Sequence, residues 1–181
     1  MHTEVGSIIV PIARAAIGEA LGVPAESDES APWLREPGAS FVTLRCEGEL
    51  RGCIGTLEAH RILLEDVKIN AVAAALRDTR FPPLRRKEWL AIRVEVSILS
   101  PLEPIEFDDE TDALARLRPG VDGVVFVSGP YRSTFLPQVW ESLPEPREFM
   151  AHLKRKVGLP AHFWSNDVEL LRYTVQKFME H

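Results

Sequence analysis

Phe41-Val42-Thr43-Leu44-Arg45-Cys46-Glu47-Gly48-Glu49-Leu50-Arg51-Gly52-Cys53-Ile54-Gly55 reads as two β-strands joined by a tight turn, and this hairpin decides the fold. Apolar and polar residues alternate on both sides of the turn, the period expected of half-buried strands. A three-residue loop, Cys46-Glu47-Gly48, pairs Arg45 with Glu49 and gathers Val42, Leu44, Leu50 and Ile54 on one face. A two-residue loop mixes apolar and charged residues on both faces, so the longer loop is expected, with Gly48 in its left-handed position. Phe41, Thr43, Arg51 and Cys53 then share the opposite face. In that register roughly 13 Å of strand rise separates Cys46 from Cys53. Bridged cysteines need Cα atoms within about 7 Å, so both thiols are expected to be free.

Outward from the hairpin, Ile8, Ile9, Ile12, Ala16, Ile17, Ala20 and Leu21 recur at helical spacing before Gly22 and Pro24. A polar linker follows over 24–37. Leu63, Val67, Ala71, Ala74 and Ala75 mark a second helix over 62–77, whose small residues suit close packing on a sheet. Leu90, Ile92, Val94, Val96 and Ile98 alternate with Ala91, Arg93, Glu95, Ser97 and Leu99 as a strand. A short helix is expected over 112–117, a central strand apolar on both faces over 121–128, another strand over 131–136 and a helix over 147–157. The final segment fits strand and helix alike. Hairpin-linked strands with helices in separate runs imply an α+β fold of mainly antiparallel sheets. One domain is expected, built as two packed subdomains with a shared cleft.

The composition excludes several classes. At 181 residues, 45% hydrophobic and 27% charged, the chain can bury roughly 70% of its unfolded surface without staples. No stretch approaches the ~20 apolar residues of a membrane span, and Met1-His2-Thr3-Glu4 lacks the basic start of a signal peptide. Two cysteines suit a reducing compartment, and a cytoplasmic location is expected. A net charge of −6 argues against nucleic-acid binding, which relies on clustered Lys and Arg. Arg85-Arg86-Lys87 and Lys154-Arg155-Lys156 are the densest basic runs and read as solvated faces.

Leu50-Arg51-Gly52-Cys53-Ile54-Gly55 carries the chemistry, because it sets one thiol between two glycines and beside an arginine. A neighbouring guanidinium favours the thiolate, whose pKa starts near ~8.5. Gly52 and Gly55 allow close approach of a ligand or partner backbone, and their amides can donate to an anion. The alternative is architectural: a strand cysteine as a small hydrophobe, with glycines marking a bulge or tight packing. His2, His60, His152, His162 and His181 form no nucleophile-and-base motif with Cys53. In Asp78-Thr79-Arg80-Phe81-Pro82-Pro83-Leu84 the two prolines stiffen a loop that either holds Arg80 over a cleft or lets Asp78 clamp it. Thr134 and Gln138 are polar residues that could reach the same cleft. Scattered Cys and His give no metal set, and no cofactor is assigned.

These stretches, with Gly38-Ala39-Ser40-Phe41-Val42-Thr43-Leu44, Val94-Glu95-Val96-Ser97-Ile98-Leu99-Ser100-Pro101 and Thr134-Phe135-Leu136-Pro137-Gln138-Val139-Trp140, resemble the AMMECR family over nearly the whole chain. Its bacterial members are labelled protein A of the AmmeMemoRadiSam system. The resemblance favours a strand for the final segment and implies that the 50–55 signature is a functional surface. It also implies a link to Memo-type and radical-SAM proteins, although the radical-SAM cysteine triplet is absent here. Three functions stay open. The preferred one is a binding or adaptor module in which Leu50, Arg51, Gly52, Ile54, Gly55 and Arg80 recognise a protein or small anionic ligand. The alternatives are a cysteine-dependent enzyme with Cys53 as nucleophile or redox thiol, and a nucleic-acid-associated factor.

Overall fold

The structure, a computed structural model, describes residues 2–181. In chain order its elements are α1 (His2–Ala20), β1 (Ala39–Cys46), β2 (Glu49–Gly55), α2 (Leu63–Leu76), β3 (Ile92–Leu99), β4 (Glu103–Ile105), α3 (Glu110–Arg116), β5 (Gly123–Ser128), β6 (Tyr131–Phe135), α4 (Pro146–Arg155), β7 (Glu169–Tyr173) and β8 (Val175–Met179). The strands form two four-stranded sheets, ordered β2-β1-β3-β8 and β4-β7-β5-β6, with antiparallel pairing. This is an α+β fold. Two compact units divide the chain: residues up to Leu99 with Gln176–His181, and Ser100–Val175.

In the first unit the alternating face of the sheet carries Val42, Leu44, Val94 and Val96, none of them exposed, against Ile9, Ile12 and Ile17 of α1 and Val67 and Ala71 of α2. Each such aliphatic side chain contributes about 1.5–3 kcal/mol of burial. α2 lies on β1 and β2 because its inward positions are alanines. A buried polar knot pins the helix there. Asp66, fully buried, accepts hydrogen bonds from the Ser40 amide (2.8 Å) and hydroxyl (2.7 Å), Thr56 Oγ1 (2.8 Å), Arg61 Nε (2.8 Å) and Asn70 Nδ2 (3.0 Å).

In the second unit β5 is central, flanked by β7 and β6, which explains why Val124, Val125 and Phe126 are all buried. Trp140 stacks on Phe149 with centroids 3.8 Å apart. Buried Asp122 is held by Arg118 at 2.6 Å and Arg172 at 3.6 Å.

Five expectations are corrected. The hairpin loop is two residues, Glu47 and Gly48, with φ of 53° and 84°, and Cys46 pairs with Glu49. Two successive positive φ values give the turn the twist that matches its strands. The register then shifts between Leu44 and Arg45, leaving Arg51 as the extra residue of a bulge. Leu50 therefore pairs with Arg45, on the Thr43 and Cys53 face rather than with Val42 and Leu44, while Ile54 keeps its expected side. The bulge also takes Arg51 out of the alternation that grouped it with Cys53. β3 begins at Ile92, and Leu90 is 86% exposed in the preceding turn. Lys154 breaks the second basic run by turning inward to Glu110, at 2.7 Å. The final segment is strand, as two short strands in different sheets.

Candidate functional site

β2 is an edge strand, so the backbone groups of its outer side need partners from elsewhere. The 78–80 loop supplies them at Cys53. Asp78 Oδ2 accepts from the Cys53 amide at 2.9 Å, and Arg80 Nη2 donates to the Cys53 carbonyl at 3.3 Å. Arg80 is itself clamped by Asp78, through Nε at 3.0 Å and Nη2 at 2.7 Å. The clamp thus caps the edge as a neighbouring strand does. Asp78 is buried, and the hydrogen bond from Arg80 holds its carboxyl well below the usual carboxylate range. The same bond raises the Arg80 pKa further, so the pair stays charged at neutral pH. Arg80 Nη1 has no hydrogen-bond partner among the described residues, and the side chain is 56% exposed. Its guanidinium carbon lies 5.5 Å from the Phe81 ring centroid.

Because both backbone groups of Cys53 point outward, Thr43 and Cys53 form a non-hydrogen-bonded pair, the kind in which facing side chains stand closest. Thr43 Oγ1 lies 3.2 Å from Cys53 Sγ. On the other side of Thr43 stands Glu95, mostly buried and tied to Arg45 Nε at 2.9 Å. Cys53 is half-buried, and both cysteines are free. Across the sheet the order is thus the partly open Cys53 thiol, the Thr43 hydroxyl and the Glu95 carboxylate, with the Arg80 guanidinium anchored at the backbone edge of Cys53.

The glycines serve packing. A Cβ on Gly52 would lie 2.1 Å from the Ala74 carbonyl oxygen of α2, and one on Gly55 2.1 Å from the Phe41 ring. Helix and ring occupy the space that the sequence left open for a ligand. Ile54 packs against the core. Arg51 is directed to Glu88, with Nε at 3.1 Å and Nη2 at 3.3 Å, and these bonds hold the Glu88 carboxyl below its ordinary value. Arg51 Nη1 is buried without a partner.

Neither His60, exposed and bonded to the Glu58 carbonyl, nor any other described histidine is bonded to the thiol; the His2 side chain lies outside the described residues. Thr134 belongs to the second unit, where its hydroxyl meets that of Tyr173 at 3.1 Å, and Gln138 is exposed there. Among the described residues no group of three or more His, Cys, Asp or Glu side chains is placed to hold a metal ion, and no helix is long and apolar enough to cross a membrane. Sequence reasoning missed Thr43 and Glu95. Alternation with apolar neighbours puts Thr43 on the Cys53 face, but its pairing with Cys53 depends on the bulge in β2, and Glu95 joins it only through the β1–β3 register.

The sequence model of the AMMECR1 family matches residues 10–178. The chain belongs to the AMMECR1 family. This AMMECR1 chain is 36% identical to a protein of Methanothermobacter thermautotrophicus, over 99% of its own length and 96% of the other. It is 41% identical to a protein of Thermotoga maritima, over 84% of its own length and 85% of the other. Among solved structures, the AMMECR1 chain superposes on the uncharacterized protein PH0010 from Pyrococcus horikoshii with a TM-score of 0.81 and 34% identity, covering 98% of this chain and 92% of that one.

Proposed function

We propose that this chain is a binding module that receives a carboxylate or carbonyl group at the Cys53–Arg80 corner of β2. One observation carries the reading. Asp78 and the Cys53 carbonyl fix Arg80 through Nε and Nη2, while Nη1 keeps two unused donors on a half-exposed side chain. A guanidinium so anchored has already lost its rotamer freedom, which lowers the entropy cost of holding an oxygen ligand. The partner is a small anion or a protein that presents such a group. Memo-type and radical-SAM proteins are the protein candidates that the bacterial family label suggests.

Titrating isotope-labelled protein with acetate tests the reading by NMR. Saturable shifts are expected at the Arg80 side chain and the Cys53 amide, and Arg80→Gln should weaken them by at least about fivefold. Shifts spread over all exposed arginines, without saturation, contradict it. The Thr43–Cys53 contact favours a second reading, a nucleophilic thiol, since the hydroxyl can donate to a thiolate. That reading requires the thiol to react rather than merely border the ligand.

A further inference from the structure

The two edges of the first sheet differ. At β2 the Asp78–Arg80 clamp covers the outward groups of Cys53, whereas β8, the opposite edge, has no such cover. The Glu180 amide donates to the Val94 carbonyl at 3.0 Å, so the residue after β8 turns its backbone toward β3. Backbone direction alternates along a strand, and Lys177 and Met179 therefore send their N–H and C=O groups to the free side. Among the described residues no loop or side chain bonds to those groups. Both residues line a groove of about 640 Å³ between β8 and α1. Ser7, Pro11 and Ala15 recur every fourth residue, so α1 presents one row of short side chains as its far wall. Buried Val10 and Phe178 form the floor, with Phe178 turned to α1, where a Cβ on Gly6 would lie 3.1 Å from its Cδ1. Arg14, the charged residue of this wall, is engaged by Glu180 and by the Trp89 and Ile92 carbonyls.

Unpaired amides and carbonyls at strand spacing, beside an apolar trough, fit an extended backbone that supplies the missing ladder and lays alternate side chains in the trough. The other face of β8 sets the sequence of that backbone. Lys177 and Met179 project there, opposite to Phe178, and both are exposed. Lys177 has no carboxylate partner among the described residues, so an acidic residue on the added strand completes a cross-strand pair with it. A second copy of β8 does not meet this need. Val175-Gln176-Lys177-Phe178-Met179 carries no carboxylate, and near-symmetric pairing makes the two Lys177 side chains neighbours on one face. We propose that the α1–β8 groove binds an extended segment of a partner protein as a fifth strand, its apolar residues toward α1 alternating with acidic residues on the Lys177 face.

The probe is acetyl-Val-Glu-Val-Glu-Val-amide, titrated into isotope-labelled protein at constant ionic strength. The Lys177 and Met179 amide resonances should shift saturably. The same peptide with lysine for glutamate should bind about fivefold more weakly, and Lys177→Glu, an exposed substitution, should reverse that order. Two further versions carry N-methyl groups, one at both glutamates and the other at the central valine. Only one set of amides can face β8, so one version must fail while the other binds: loss at the glutamates marks antiparallel addition, loss at the valine parallel. No saturation to about 5 mM, equal binding of the lysine peptide, or equal behaviour of the two methylated versions overturns the proposal. Shifts of the same two amides with protein concentration alone, with a dimer in sedimentation, make the occupant a second copy and overturn it too.

Discussion

Gly52→Ala should lose about 3 kcal/mol or more of stability, or fail to fold, as read from its denaturant midpoint. The added methyl would sit 2.1 Å from the Ala74 carbonyl oxygen. Relief requires moving backbone on α2 or β2 by about an ångström, and a close-packed interior resists that. A flexible side chain could swing aside; a helical carbonyl cannot. Alanine has ordinary strand geometry, so intrinsic propensity alone predicts a much smaller change. A loss under about 1 kcal/mol would mean that α2 does not approach the sheet this closely.

Asp66→Ala should produce a loss of similar size, about 3–5 kcal/mol. The substitution removes the acceptor that five donors share, the Ser40 amide and hydroxyl, Thr56, Arg61 and Asn70, of which Asn70 alone keeps a backbone acceptor, the Ser40 carbonyl at 3.0 Å. Ser40 is fully buried, where an unmatched polar group costs about 1–3 kcal/mol. Asp66→Asn should recover little, because its amide nitrogen faces donors where a carboxylate oxygen stood. Thermal unfolding of the two variants side by side checks this; a near-normal Asn variant would show that the charge and second oxygen matter little.

Elements with one strong period were legible in the sequence. Val94 and Val96 fixed β3, and the alanines of residues 71–75 announced a helix lying close on a sheet. The hairpin shows where such reading fails. Its faces were inferred from a single register, but a bulge at Arg51 changes the parity partway along β2 and carries Leu50 to the other side. Bulges leave no simple residue pattern, since the misfit is absorbed by the backbone. β4 was invisible because three residues containing Pro104 carry no period. At the site, Cys53 and Arg80 were found from their types, and the Asp78 clamp was one of two readings left open. What fixed their arrangement was the edge position of β2, a property of strand order rather than of any local segment.

Alkylation of Cys53 by iodoacetate and by iodoacetamide, at equal concentration and with rates followed by peptide mass, tests the central claim most directly. The two reagents modify the same thiol and differ in a carboxylate against an amide. An anchored guanidinium with free donors beside that thiol should favour the carboxylate reagent. The account predicts that the rate ratio at Cys53 exceeds that at Cys46, which sits near Glu47 and Glu49, and falls several-fold in Arg80→Gln while the ratio at Cys46 stays fixed. An unreactive Cys53, or a ratio at Cys53 indifferent to Arg80→Gln, would contradict it.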